Sequence, residues 1–336
     1  MNKTVLGRVA TLGVTLVPLA LLATTSSAAT PSSVNVVGYS IVANAYTALE
    51  TAFQHTLAGE GVSFTNSFGA STTQAEDVVA GQPADVVNFS RQPDLQLLVD
   101  AHLVSRMWAS YPGVQSQKGI VTDSTVAIVV RPGNPLGVNG WSDLLGSGVK
   151  IVTPDPISSG SARWNLLAAY ESQIALGLKP AAAKTFLNSL IGNVVAEPSS
   201  GSKALSTFLA GTGNVLLAYE ADALAAYASG QKIQIVQPRQ NLLIENPAAL
   251  TTTGSGNPGA VAFYRFIFSK PGQLLWLHYF FRPTLASLAT RLKTKLYTPR
   301  VMTRVSSLGG WTKVDLKFFA PAGIITQAEA VHGFTS

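Results

Sequence analysis

The chain has 336 residues, is 47% hydrophobic, carries a net charge of +6 and contains no cysteine. Its length and apolar content suffice for two sizeable cores, and the lack of cysteine excludes disulfides, thiol catalysis, thiolate metal sites and a lipid-bearing N-terminal cysteine. The modest basic excess is far from the clustered charge of a nucleic-acid-binding surface.

Lys3 and Arg8 precede an uncharged apolar stretch, Val9 to Leu22, and then the small-residue run T-T-S-S-A-A-T. This layout predicts a secretory signal over residues 1–29, cut after Ala29, and an exported, soluble protein of the periplasm or cell envelope. No later segment approaches the ~18 unbroken apolar residues of a membrane span.

Strands are expected at Val34–Val37, Val62–Thr65, Ala84–Asn88, Thr125–Val130, Lys150–Thr153, Asn193–Val195, Val215–Tyr219 and Ile233–Val236. Between them, helical periodicity covers Ile41–His55, Thr72–Ala80, Ala162–Ser172, Pro180–Leu190, Ser202–Ala210 and Ala221–Ala228, and Ser71 with Gln74 fits an S-x-x-Q capping box. The alternation predicts an α/β protein with largely parallel sheets, in which ligands bind where strand-to-helix turns gather.

Four such turns share one chemistry: Gly38-Tyr39-Ser40, the stretch Ser67 to Thr73, and the twin Ser-Ser-Gly-Ser tetrapeptides at Ser158–Ser161 and Ser199–Ser202. All offer hydroxyls and small residues without a carboxylate or a cation. Each taken singly reads as ordinary serine capping. Together they predict a pocket where helix N-termini and neutral donors hold one oxyanion.

The stretch I-V-T-P-D-P-I-S-S-G-S-A-R-W-N-L-L-A-A-Y, Ile151 to Tyr170, is similar to V-I-T-P-N-P-K-[ST]-S-G-G-A-R-W-N-x-L-A-A-W of the sulfate-binding proteins of ABC transporters, a family that the chain resembles from Val34 to Gln327. Further matches are V-V-R-P-G-N-P from Val129, N-V-L-L-A-Y-E from Asn214, Phe281-Arg282-Pro283 and Gly309-Gly310-Trp311. The resemblance implies a two-lobed periplasmic-binding-protein fold of type II with the ligand in the cleft. The chain would cross between lobes at Val121–Arg131 and Ile233–Asn246, so that residues 30–125 and 240–336 form one lobe and 126–239 the other.

It also implies the binding residues. Ser159, Gly160 and Ser161 match the family's serine-glycine element, Ser71 the first-lobe serine, and Ser40 the donor after the first strand, where the family has Asp. Gly201, or Ser202 after a one-residue insertion, matches a backbone donor, and Tyr219 replaces the family's tryptophan. Ser67 to Thr73 also lacks a histidine and a lysine found in the family, and Ser161 stands for a glycine. Sulfate, which carries no proton near neutral pH, needs only donors, whereas hydrogen phosphate also wants an acceptor; the turns lack one, which favours sulfate or thiosulfate. Molybdate and tungstate remain alternatives.

An exported enzyme acting on a phosphate or sulfate ester, or an anion sensor with another membrane partner, are the competing readings. His55, His102, His278 and His332 are scattered, with no H-E-x-x-H or G-x-S-x-G, and no Gly-Lys exists for a P-loop. Gly254 to Gly259 fits G-x-G-x-x-G, but no acid follows before Asp315. No enzyme activity, cofactor or metal is therefore expected, and the partners are the anion and a transporter permease, with the protein a monomer that binds no nucleic acid. The acid-free stretch Asn246–Val314, rich in basic residues, reads as a solvated face or as a field that steers anions.

Overall fold

The computed structural model describes Met1 and residues 32–334; the expected signal segment, apart from Met1, lies outside them. Among the described residues no helix is long and apolar enough to cross a membrane.

The strands, in chain order, are β1 (Ser33–Tyr39), β2 (Ser63–Gly69), β3 (Val86–Asn88), β4 (Ile120–Ser124), β5 (Val126–Val130), β6 (Ile151–Val152), β7 (Val194–Ala196), β8 (Val215–Tyr219), β9 (Gln234–Val236), β10 (Gln240–Leu242), β11 (Ile244–Leu250), β12 (Arg282–Pro283) and β13 (Val301–Thr303). They form a six-stranded sheet, β12-β4-β11-β3-β1-β2, a five-stranded sheet, β7-β6-β8-β5-β9, and the small pair β10-β13. The sheets are mixed rather than largely parallel. β11 runs antiparallel to β3 and β4, and β5 antiparallel to β8 and β9. These are the strands by which the chain enters one sheet straight from the other, with no helical crossover of the kind that parallel pairing requires.

The first crossing is compact. Only Thr125 separates β4 from β5, and its carbonyl accepts the Glu220 N–H at 2.8 Å. The return crossing is tied to it by Asn241, whose carboxamide accepts from Val126 N at 3.1 Å and donates to Val126 O at 2.7 Å. Nearby, Arg282 on β12 forks onto Glu220, at 2.8 Å from Nε to Oε2 and 2.9 Å from Nη2 to Oε1, with both side chains buried. Arg282 thus belongs to the junction between the sheets and not to a solvated face, because its fork matches a carboxylate that would otherwise be buried alone.

Register sets what emerges at the sheet edges. Tyr39 pairs with Gly69 and Gly38 with Asn88, so the turns after β1, β2 and β3 leave the first sheet side by side. In the second sheet Val152 pairs with Leu216 and Ala196, which brings together the turns after β6, β7 and β8. The C-terminal stretch, grouped with the first lobe from sequence, lies on helices of the second sheet. Trp311 meets Trp164 edge-on with ring centroids 4.7 Å apart, Phe318 meets Tyr170 at 4.9 Å, and the helix Ile324–Val331 packs beside Pro180–Ile191. Burial of these rings fixes the strap in place.

Candidate functional site

Ser71 opens the helix Ser71–Val79, but it does not form the expected capping box: the N-cap is Ala70. The Ser71 hydroxyl donates to Asp94 Oδ2 at 2.7 Å and accepts from Ser90 N at 2.9 Å, while Gln74 Oε1 accepts from Ser67 Oγ at 2.7 Å. The side chains prefer these buried partners to the backbone of their own turn. What Ser71 has left to offer is its backbone N–H, which has no helical partner at this position.

The twin tetrapeptides diverge. In the second, Ser200 Oγ accepts from Lys203 N at 3.3 Å and caps the helix Gly201–Leu209. In the first, Ser159 stands at the N-cap of Gly160–Ala175 without capping it, and its hydroxyl instead pairs with Ser161 Oγ at 2.8 Å. One hydroxyl of that pair donates to the other, so one hydrogen stays free for a third group. Gly160 and Gly201 each begin a helix and Ser161 follows Gly160 in the same first turn, where N–H groups lack intrahelical acceptors.

These turns meet across the seam between the sheets. Thr72 N donates to Ser158 O at 3.1 Å and Ser202 N to Ser40 Oγ at 3.3 Å. A methyl group at Gly201 would lie 2.7 Å from Ile41 Cδ1 and 3.1 Å from Ser161 Oγ. At Gly160 it would lie 2.7 Å from both Cβ and Oγ of Ser90, so only glycine allows that approach. Tyr219, fully buried at the end of β8, shares a 2.7 Å hydrogen bond with Ser90 Oγ. All seven residues expected from the sequence, namely Ser40, Ser71, Ser159, Gly160, Ser161, Gly201 and Tyr219, therefore fall in one contiguous region.

The turn after β3 is not among the four that the sequence marks. Ser90 is the hub of the seam: its carbonyl accepts Trp164 Nε1 at 2.9 Å and Asn246 Nδ2 at 2.8 Å, in addition to the contacts made by its N–H and hydroxyl. Its neighbour Arg91 pairs with buried Asp94 at 2.8 Å, reaches Asp315 at 3.4 Å and lies over the Trp311 ring at 5.8 Å. The segment Ser90-Arg91-Gln92-Pro93-Asp94 lacks the glycine and paired serines that mark the other turns. Its only signal was Pro93, at the start of the helix Gln92–Asp100.

Asp94 also corrects the expectation that no carboxylate accompanies the turns, since Oδ2 would lie 3.2 Å from a methyl group at Gly160. Its acceptors are directed into the protein: Oδ2 receives Ser71 Oγ, and Oδ1 receives Thr72 Oγ1 at 3.0 Å as well as Arg91. Burial pushes the Tyr219 phenol well above its ordinary range, so it stays protonated and able to donate. The assembled region thus presents helix N-termini, hydroxyls and one phenol, a donor-rich surface suited to an anion. Among the described residues no cluster of His, Asp or Glu suits a metal.

Residues 34–282 match the family model described as bacterial extracellular solute-binding protein. The chain is 32% identical to a sulfate-binding protein of Synechococcus elongatus, over 90% of this chain and 88% of that protein. It is 28% identical to a thiosulfate-binding protein of Pseudomonas aeruginosa, over 87% and 90%. Among solved structures, the sulfate-binding protein SubI from Mycobacterium tuberculosis superposes with a TM-score of 0.82 at 38% identity, covering 86% of this chain and 99% of that one. These relatives are solute-binding proteins and not enzymes, and the chain belongs to the bacterial extracellular solute-binding protein family.

Proposed function

We propose that this protein is the extracytoplasmic receptor of an ABC transporter, that it captures sulfate or thiosulfate as a monomer, and that it delivers the anion to a membrane permease. The observation that carries this reading is the meeting of unpaired helix N-termini from both sheets at Ser71, Gly160 and Gly201. The names of the relatives point the same way. Residues 126–239 would form one lobe and the first sheet the other, and the anion would sit in the seam between them. Backbone N–H groups of Ser40, Ser71, Gly160, Ser161 and Gly201, together with the Ser159 hydroxyl and the Tyr219 phenol, would be its donors. Each helix end contributes about 0.3–2 kcal/mol, and hydrogen bonds to a charged group about 1.5–3 kcal/mol each. Several together leave the roughly 8 kcal/mol of a micromolar receptor after desolvation.

The discrimination against hydrogen phosphate rests on Asp94 being occupied. With Ser71, Thr72 and Arg91 already donating to it, its carboxylate has little capacity left for a P–OH group, and its charge repels an anion brought closer. Ser159→Ala removes a donor that caps nothing, so sulfate affinity should fall by about 1.5–3 kcal/mol, or one to two orders of magnitude in Kd. Ser200→Ala removes only a helix cap and should cost about 1 kcal/mol of stability while leaving affinity almost unchanged. Equal losses of affinity in the two variants would show that Ser159 holds no anion.

A further inference from the structure

Behind the turn that leads into Gly160 lies a cavity of about 830 Å³, between that turn and the C-terminal strap. Its charged lining is Asp155, Glu197 and Glu329 against a single cation, Arg163; its apolar side includes Phe319, Ile325 and Phe334. Arg163 is engaged elsewhere: Nε donates to Pro156 O at 2.7 Å, Nη1 is 3.6 Å from Asp315, and the guanidinium lies over the Phe319 ring at 5.0 Å. Asp155 is likewise taken, by Ile157 N at 2.7 Å and Ser158 Oγ at 3.1 Å.

Glu197 and Glu329 are left over. Glu329 is only 5% exposed, and apart from the hydrogen bond that the two carboxyls make with each other, no donor meets either oxygen of Glu329 or Oε1 of Glu197. Buried acceptors are almost always satisfied, and two adjoining carboxyls whose only donor is a proton shared between them are costly. Burial, and for Glu197 the neighbouring Glu329 charge, hold both carboxyls above their usual range, so that a proton is retained between them near neutral pH. None of these groups takes part in the anion contacts described above.

We propose that this cavity is a second binding site, for a small organic cation whose ammonium group sits between Glu197 and Glu329 and whose hydrocarbon part covers Phe319, Ile325 and Phe334. The ammonium would supply the missing donors, and the proton held by the pair would leave to solvent as the cation enters. The volume is that of an ordinary small-molecule pocket.

The test is a calorimetric titration of the mature protein with phenethylammonium chloride, below and above neutral pH and in buffers of different ionisation enthalpy. Wild-type protein should bind it, more tightly as the pH rises, with release of a proton. Phenethyl alcohol, which has the same shape without the charge, should bind at least about tenfold more weakly, and Glu329→Gln should lose about tenfold or more in affinity for the ammonium probe. Should Glu329→Gln fail to fold, Glu197→Gln carries the same expectation. The proposal is overturned if wild-type protein does not bind the probe, if the alcohol binds as well, or if the folded glutamine variant keeps wild-type affinity. Sulfate titrations of the same samples report on the anion site separately, so failure here leaves that reading untouched.

Discussion

Replacing Gly160 by alanine should force the two sides of the seam apart rather than unfold the protein. The new methyl group would meet Cβ and Oγ of Ser90 at 2.7 Å and Asp94 Oδ2 at 3.2 Å. Gly160 begins a helix of the second sheet, whereas Ser90 and Asp94 follow a strand of the first. Ser90 has little room to yield, because its N–H, carbonyl and hydroxyl are held by Ser71, Trp164, Asn246 and Tyr219. Inserting a methyl group into such packing costs about 1–3 kcal/mol, here falling on the seam where the anion would sit, and sulfate should bind about five- to 150-fold more weakly. Gly160→Asp adds a carboxylate beside Asp94 and should abolish binding. The assay is calorimetric titration with sulfate, accompanied by the fluorescence of Trp164, whose indole bonds across the seam to Ser90 O. Wild-type affinity and a wild-type fluorescence change in Gly160→Ala would refute the tight approach of Gly160 to Ser90 as part of the binding site, and with it the placement of the site.

Two further outcomes concern the scaffold. Arg282→Met leaves Glu220 buried without its partner and should destabilise the protein by about 3–5 kcal/mol, seen as a lower midpoint in urea; a loss under about 1 kcal/mol would mean that the pair is dispensable. Burial raises the carboxyl of Asp222 to about 7, and burial followed by the Glu245 charge raises that of Asp123 to about 7. Because the folded state then binds more protons than the unfolded one, stability present below about pH 4 is lost as pH rises towards 7. Thermal midpoints should therefore fall across that window, and Asp123→Asn should flatten the fall; an unchanged slope in that variant would remove Asp123 from the explanation.

How legible the molecule was in its sequence depended on locality. β8 was expected at Val215–Tyr219 and lies there, because a short apolar run ends at a helix start. The glycines and serines of the four turns were also visible, since helix N-termini select such residues locally. The antiparallel strands β4 and β11 were hidden: their pairing joins residues more than a hundred positions apart, and no nearby turn announces it. Ser90, Asp94 and Asn246 were missed for a related reason. Each is polar and buried through contacts with distant segments, so nothing in its own neighbourhood distinguishes it from a surface residue. The capping box at Ser71 failed because a buried carboxylate from the next helix outcompeted the local backbone.

Whether the seam is a donor-rich receptor for an unprotonated tetrahedral anion is decided by calorimetric titration of the protein with sulfate and with phosphate at neutral pH. Sulfate should bind with a micromolar or tighter Kd, near −8 kcal/mol, and phosphate far more weakly. Tight phosphate binding with no response to sulfate would contradict that assignment of the seam.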